Sequence, residues 1–149
     1  MTASRAGKTL MIVEDEVLVA IVLRSELEDA GYHVLHLTDR IAEALEVAKA
    51  SQPDLALVNI DLVGGDDGIE LAKQLKALDI PVLLISGQVS RARSARTVAI
   101  ASLPKPYDAA DMVLAVTYLL ECLQGDASLP KPSGLEVFDE AGFGVVPAA

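Results

Sequence analysis

The chain is poor in cysteine, in long apolar runs and in positive charge, and each shortage excludes something. A single cysteine, Cys122, stands among 149 residues. It cannot form an internal disulfide, which suits a reducing compartment, and a small apolar role in a terminal helix is expected for it. Hydrophobic residues make up 52% of the chain, yet charges break every apolar run well short of the ~20 residues a membrane helix needs. The start, MTASRAGK, lacks the apolar stretch of a secretory signal, so a cytoplasmic location is expected. Lys and Arg number 12 against 22 Asp and Glu, a formal net charge of -10. Such a surface repels nucleic acid unless a local basic patch overrides it. The one concentration of positive charge is Arg91, Arg93 and Arg96, with little aromatic company, and it reads as a solvated helix face. Neither a nucleic-acid nor a membrane partner is expected.

What the chain does have is a regular alternation. Its length allows one domain with a proper core. The apolar run at Thr9–Val13 reads as a strand ending on Glu14, Asp15 and Glu16. Over residues 16–30, Val17, Leu18, Ala20, Ile21, Leu27 and Ala30 largely recur at helical spacing, and Gly31 supplies a stop. Tyr32–Leu37 is a second strand, Ile41–Ala50 a helix, and Leu55–Asp61 (LALVNID) a third strand buried on both faces. Gly68–Leu78 is a helix, and the VLLI run after Pro81 is a strand leading to Ser86 and Gly87. Ser90–Ala99 is the weakest helix, Ile100–Leu103 a short strand, and Asp108 caps a strongly amphipathic last helix that reaches Leu123. Five strand–helix units in succession predict a parallel sheet with helices on both faces, a doubly wound α/β fold. Residues 1–7 form a short leading tail and 8–124 the domain. Residues 125–149 read as a mostly irregular tail in which Leu135, Val137 and Phe138 are placed to dock as a short extended segment. No output module is expected in that tail.

In open α/β sheets ligands lie beyond the carboxyl ends of the strands. Glu14 and Asp15, Asp61, Ser86 and Lys105 all leave the sheet at that edge. Taken alone, Asp61 reads equally well as the opener of a turn; the other strands decide. Carboxylates brought together repel unless a cation joins them, and oxygen ligands with water positions suit Mg²⁺. A metal, a Lys and a Ser around a nucleophilic carboxylate equip a site for phosphoryl transfer to Asp. Competing motifs fail. The first strand runs into acids where a dinucleotide or P-loop site needs glycines. Val63 and Gly65 bring no carboxylate to an EF-hand loop. A metal-dependent phosphatase wants a second acid where Val63 stands. His33 and His36 lie in or beside a strand, away from the acidic edge, and suit structural or surface roles.

The motifs MIVEDE, LALVNIDL, DDGIELA, LLISG and LPKPY, in that order, resemble those of receiver domains of the two-component response-regulator family. The resemblance spans residues 8–123. It implies a flavodoxin-like (βα)5 fold with strand order 2-1-3-4-5. It further implies Asp61 as phosphoacceptor, Glu14 and Asp15 with Asp61 and the Val63 backbone carbonyl as ligands of Mg²⁺, Ser86 as the switch hydroxyl, and Lys105 as the clamp on a phosphoryl oxygen. The Lys105–Pro106 bond is then expected to be cis. The donor implied is a phosphohistidine on a histidine kinase or a histidine phosphotransfer protein. The chain would catalyse only its own phosphorylation and slow autodephosphorylation, signalling by protein contact.

Two departures stand out. Ser102 occupies the place of the usual switch aromatic, three residues before the lysine, and Tyr107 replaces a common Phe after it. The segment from Ser86 to Lys105 is short for a full fourth helix. Ser102 and the short fourth helix favour an alternative, a phosphorylation-independent pseudo-receiver that docks a partner constitutively, and the complete set of acids, hydroxyl and lysine opposes it.

Overall fold

The computed structural model describes residues 7–62 and 67–144. Its centre is a six-stranded sheet of β1 (Thr9–Val13), β2 (His33–Thr38), β3 (Leu55–Asn59), β4 (Val82–Ser86), β5 (Ala101–Pro104) and β6 (Glu136–Val137). The order is β2-β1-β3-β4-β5-β6; all pairings are parallel except the last, β5 with β6. Helices α1 (Val17–Asp29), α2 (Ile41–Ser51), α3 (Gly68–Ala77) and α4 (Val89–Ser94) are the crossovers between the parallel strands, and α5 (Ala109–Leu123) follows β5, so the expected doubly wound fold and strand order are present with one strand added.

Every residue of β3 and β4 is buried, because helices cover both faces and the strand has no solvent side on which to place a polar residue. Alternate residues divide between two cores, as the period of two requires. Leu10, Ile12, Leu55, Leu57, Leu83 and Ile85 face α1 and α5, where Leu23, Leu27, Met112, Val116 and Leu119 meet them. Met11, Val13, Ala56, Val58, Val82 and Leu84 face the other way, toward Ala44 and Ala48 of α2 and Leu71 and Leu75 of α3. A capping box starts α5: Asp108 accepts from the Asp111 N–H at 2.8 Å, and Asp111 accepts from the Asp108 N–H at 3.1 Å.

Helix α1 departs from its expected inner face. It buries Ala20, Leu23 and Leu27, while Val17, Leu18, Ile21 and Val22 are exposed. Its first half is apolar almost all round, so periodicity there does not fix the rotation; Leu23 and Leu27 fix it. Helix α4 is only 6 residues long, in keeping with the short segment between Ser86 and Lys105. Beyond α5 the chain runs without regular structure to Gly134, then returns to the sheet, where Leu135, Phe138 and Ala141 are buried. No helix among the described residues is long and apolar enough to cross a membrane.

Candidate functional site

The residue that ends β3 is Asn59. The chain continues through Ile60, which is fully buried and donates its N–H to the Ile85 carbonyl at 2.9 Å, before reaching Asp61. Helix α3 starts directly on this strand end. A Cβ added to Gly68 would lie 2.3 Å from the Asn59 carbonyl oxygen and 2.7 Å from Ile60 Cα. Only glycine allows that approach, and the Gly68 N–H donates to the Ile60 carbonyl at 3.1 Å.

Asn59 is 2% exposed and joins the expected cluster at its centre. Its Nδ2 donates to Glu14 Oε2 at 3.1 Å and to Asp15 Oδ1 at 3.2 Å. Its Oδ1 accepts the Asp61 N–H at 3.1 Å and the Lys105 Nζ at 3.4 Å. An amide has two donor hydrogens and two acceptor lone pairs, and here all four are engaged. The neighbours fix its orientation, since carboxylates need donors, whereas an N–H and an ammonium need an acceptor. Glu14 is 5% exposed and also accepts the Glu16 N–H at 3.1 Å. Burial pushes its carboxyl above the usual range, against the hydrogen bonds from Glu16 and Asn59 and the charge of Lys105. Tyr107 lies beside this edge, half-buried, its hydroxyl pushed up to about 12 by desolvation and then by the charges of Glu14 and Glu16.

The structure thus brings Glu14, Asp15 and Lys105 together, but around Asn59. Asp61 lies two residues further on with its side chain half in solvent, and its carboxylate is paired with Arg91 of α4. The second arm of the same guanidinium reaches Asp67 Oδ1 at 3.3 Å. Asp67 is the N-cap of α3, accepting from the Ile69 N–H at 2.9 Å, so Arg91 ties α4 to both sides of the β3–α3 connection. Ser86 ends β4 buried, its hydroxyl turned back on its own chain: Oγ accepts from the Gln88 N–H at 2.9 Å and donates to the Gln88 carbonyl at 3.1 Å. Val63 lies outside the described residues. The Lys105–Pro106 bond is cis. Ser102 is buried in β5, and no buried side-chain N or O atom among the described residues lacks a partner.

Two positions of the candidate site escaped the sequence. Asn59 was hidden because the apolar run was extended to the acid that follows it. The available signal was an isolated amide inside LALVNI, since a buried amide demands partners. Arg91 was grouped with a solvated face, and nothing in a charge pattern tells where a long side chain reaches.

Receiver domains generally bind Mg²⁺ in an acidic pocket, and the residues present here fit that ion poorly. The inward oxygens of Glu14 and Asp15 already accept amide hydrogens, and an amide nitrogen faces them where a third carboxylate oxygen is needed. Among the described residues no group of three or more His, Cys, Asp or Glu side chains converges.

Comparison with known proteins agrees with this architecture. A family model described as response regulator receiver domain matches residues 10–117. The transcriptional regulatory protein PdtaR of Mycobacterium tuberculosis is 30% identical over 115 residues, covering 73% of this chain and 55% of that protein. The phyllosphere-induced regulator PhyR of Methylorubrum extorquens is 31% identical over 91 residues, 60% of this chain and 34% of PhyR. The chain therefore spans between a third and about half of the length of these curated relatives. Among solved structures, the receiver domain of NtrX from Brucella abortus superposes with a TM-score of 0.70 at 29% identity, covering 75% of this chain and 98% of that one. With its fold, its acidic edge and its Lys-Pro turn in the family's arrangement, the chain belongs to the response regulator receiver domain family.

Proposed function

We propose that this receiver domain acts as a phosphorylation-independent protein-interaction module of a two-component signalling pathway. The observation that carries the reading is Asn59. It is the side chain in hydrogen-bond contact with the acidic pair on one side and the lysine on the other, which is where a nucleophilic carboxylate has to stand. An amide oxygen there cannot form an acyl phosphate. The amide also supplies what a metal and a phosphoryl group supply elsewhere, a donor to both acids and an acceptor for Lys105. The pocket is then held in one arrangement by its own side chains. The switch hydroxyl of Ser86 already has its partner, Arg91 pins α4, and Ser102 provides no aromatic ring to move.

A second reading keeps Asp61 as phosphoacceptor, with histidine kinases or phosphotransfer proteins as donors and Mg²⁺ held by Glu14, Asp15, Asp61 and the Val63 carbonyl. It draws on family membership and on the half-exposed Asp61 carboxylate beside the cluster. Lys105 would then clamp the phosphoryl group and Ser86 would turn toward it. Treatment with a small acyl-phosphate donor and Mg²⁺, followed by intact-mass measurement, separates the two. The first reading expects no added phosphate in wild type or Asp61→Asn, and acquisition of labelling by Asn59→Asp. Labelling of wild type that is lost in Asp61→Asn overturns it.

A further inference from the structure

Helix α1 presents an apolar surface that no element among the described residues covers. Six large hydrophobic side chains are exposed among those residues, and four of them, Val17, Leu18, Ile21 and Val22, stand in its first two turns. Leu18, Val22, Ser25 and Asp29 recur at helical spacing along the row opposite the buried Ala20, Leu23 and Leu27. Val17, Ile21, Arg24 and Glu28 make the row beside it. The four aliphatic side chains together offer on the order of 400 Å² of apolar surface, a size at which a patch on a monomer is often a binding site.

Beside the start of the second row lies an open hollow of about 280 Å³, bounded by Glu14, Asp15, Val17, Leu37 and Asp39 among others. An aliphatic wall beside carboxylates suits an arginine, whose stem takes the wall and whose guanidinium takes the acids. Arg24 stands in the same row as Val17 but two turns on, roughly 10 Å along the axis, so it cannot fill the hollow of its own chain. It is paired instead with Glu28 at 3.5 Å, and Asp39 with Arg40 at 4.0 Å. Exposed pairs of this kind contribute little and are readily exchanged. One face thus carries both an arginine and the seat for one, separated along a helix. A face of that kind is self-complementary.

We propose that α1 is the contact surface of a symmetric dimer. A second copy lies antiparallel on it, with the dyad level with Ala20. Leu18 of each copy then faces Val22 of the other. A dyad perpendicular to both helices sets like row against like row, so Arg24, one turn past it, comes level with residue 16 of the second copy, beside that copy's hollow. The two apolar patches remove roughly 800 Å² from water, and the arginine stems bring the total to about 1,000–1,200 Å², the low end for a specific interface. A dissociation constant of about 10–100 µM is expected of such a contact. The net charge of -10 turns α1 away from an anionic membrane, whereas a second copy brings the cation that the acids lack. The inference goes beyond the proposed function: neither Asn59 nor Asp61 is in the contact, so labelling of Asp61, or its absence, leaves it standing.

Sedimentation velocity of the full chain from about 1 to about 300 µM reads the association directly. Wild type should pass reversibly from monomer to dimer across that range. Leu18→Glu, at a side chain that is 79% exposed, should stay monomeric with an unchanged thermal melt. Arg24→Glu should weaken the dimer at least about tenfold. Asp39→Arg added to it should restore the affinity to within about threefold of wild type, because the exchanged charges meet again across the dyad. A wild-type chain that is monomeric throughout overturns the proposal. So does a dimer indifferent to Leu18→Glu, or an Arg24→Glu chain that Asp39→Arg does not restore, since either result places the contact elsewhere.

Discussion

Replacing Asn59 by Asp puts the account of the site at greatest risk. The amide donates to two carboxylates at 3.1 and 3.2 Å and accepts from Lys105 at 3.4 Å. A carboxylate in its place exchanges two attractive contacts for two repulsive ones and keeps the third. At an effective dielectric constant of ~20, each unit-charge pair at this separation is worth about 5 kcal/mol, so one repulsion is offset by Lys105 and about 5 kcal/mol remains. Proton uptake caps that cost, because protonating a group of ordinary pKa near 4 at pH 7 requires about 4 kcal/mol. The expected loss is therefore about 2–4 kcal/mol, or roughly 10 °C in Tm for a chain of this size. It should shrink as pH falls toward 5, because each unit of pH lowers the cost of that proton uptake by about 1.4 kcal/mol. Mg²⁺ should restore stability to Asn59→Asp, by about 1.4 kcal/mol at ten times its Kd, and leave wild type unmoved. Urea melts at pH 5 and pH 7, each with and without 10 Kd equivalents of Mg²⁺, read all four arms. If wild type gains as much from Mg²⁺ as the variant, or if the variant is as stable as wild type without the ion, Asn59 is not the neutral centre of the pocket.

Gly68→Ala should destabilise by about 2–4 kcal/mol, since its methyl meets backbone atoms of Asn59 and Ile60 that cannot yield; amide exchange at Ile60 and Asp61 should quicken more than at β1. Glu14→Gln tests the burial of that carboxyl. Its folded value lies above the unfolded one, so the stability it contributes is present below pH 4.5 and lost as pH rises through the folded value. The variant should therefore gain on wild type between pH 4.5 and pH 7 in urea melts, and a constant difference would contradict the assignment. Arg91→Ala should cost no more than about 1 kcal/mol, because its two partners are exposed. Exchange in α4 should nonetheless rise, and that rise should be reproduced in wild type by 1 M salt.

The fold was legible because burial on both sheet faces leaves an unambiguous trace: LMIV, LALV and VLLI are continuous apolar runs, and each is followed by a helix period. The cap at Asp108, the stop at Gly31 and the short α4 were equally local matters. What escaped was settled by contacts distant in sequence. Asn59 and Asp61 are two residues apart, a full strand repeat, so both lead toward the same side and pattern alone cannot choose the strand end. The Ile60 bond to Ile85 and the seat of Gly68 choose it. The exposed face of α1 was misjudged because Val17, Leu18, Ile21 and Val22 make its first half apolar on every side. The pairing of Glu136–Val137 rests on an edge supplied by β5, of which a two-residue strand carries no signature.

Closing the β5 side has a bearing on how copies of this molecule behave when concentrated. A parallel sheet has two borders from which backbone groups can recruit another chain. The last strand shortens one border to a pair of residues, too little to act as a template, and leaves β2, with His33 and His36, as the remaining long one. Association through strand borders is then directed to β2, where two sheets can join edge to edge, with no second long border from which a fibre would extend.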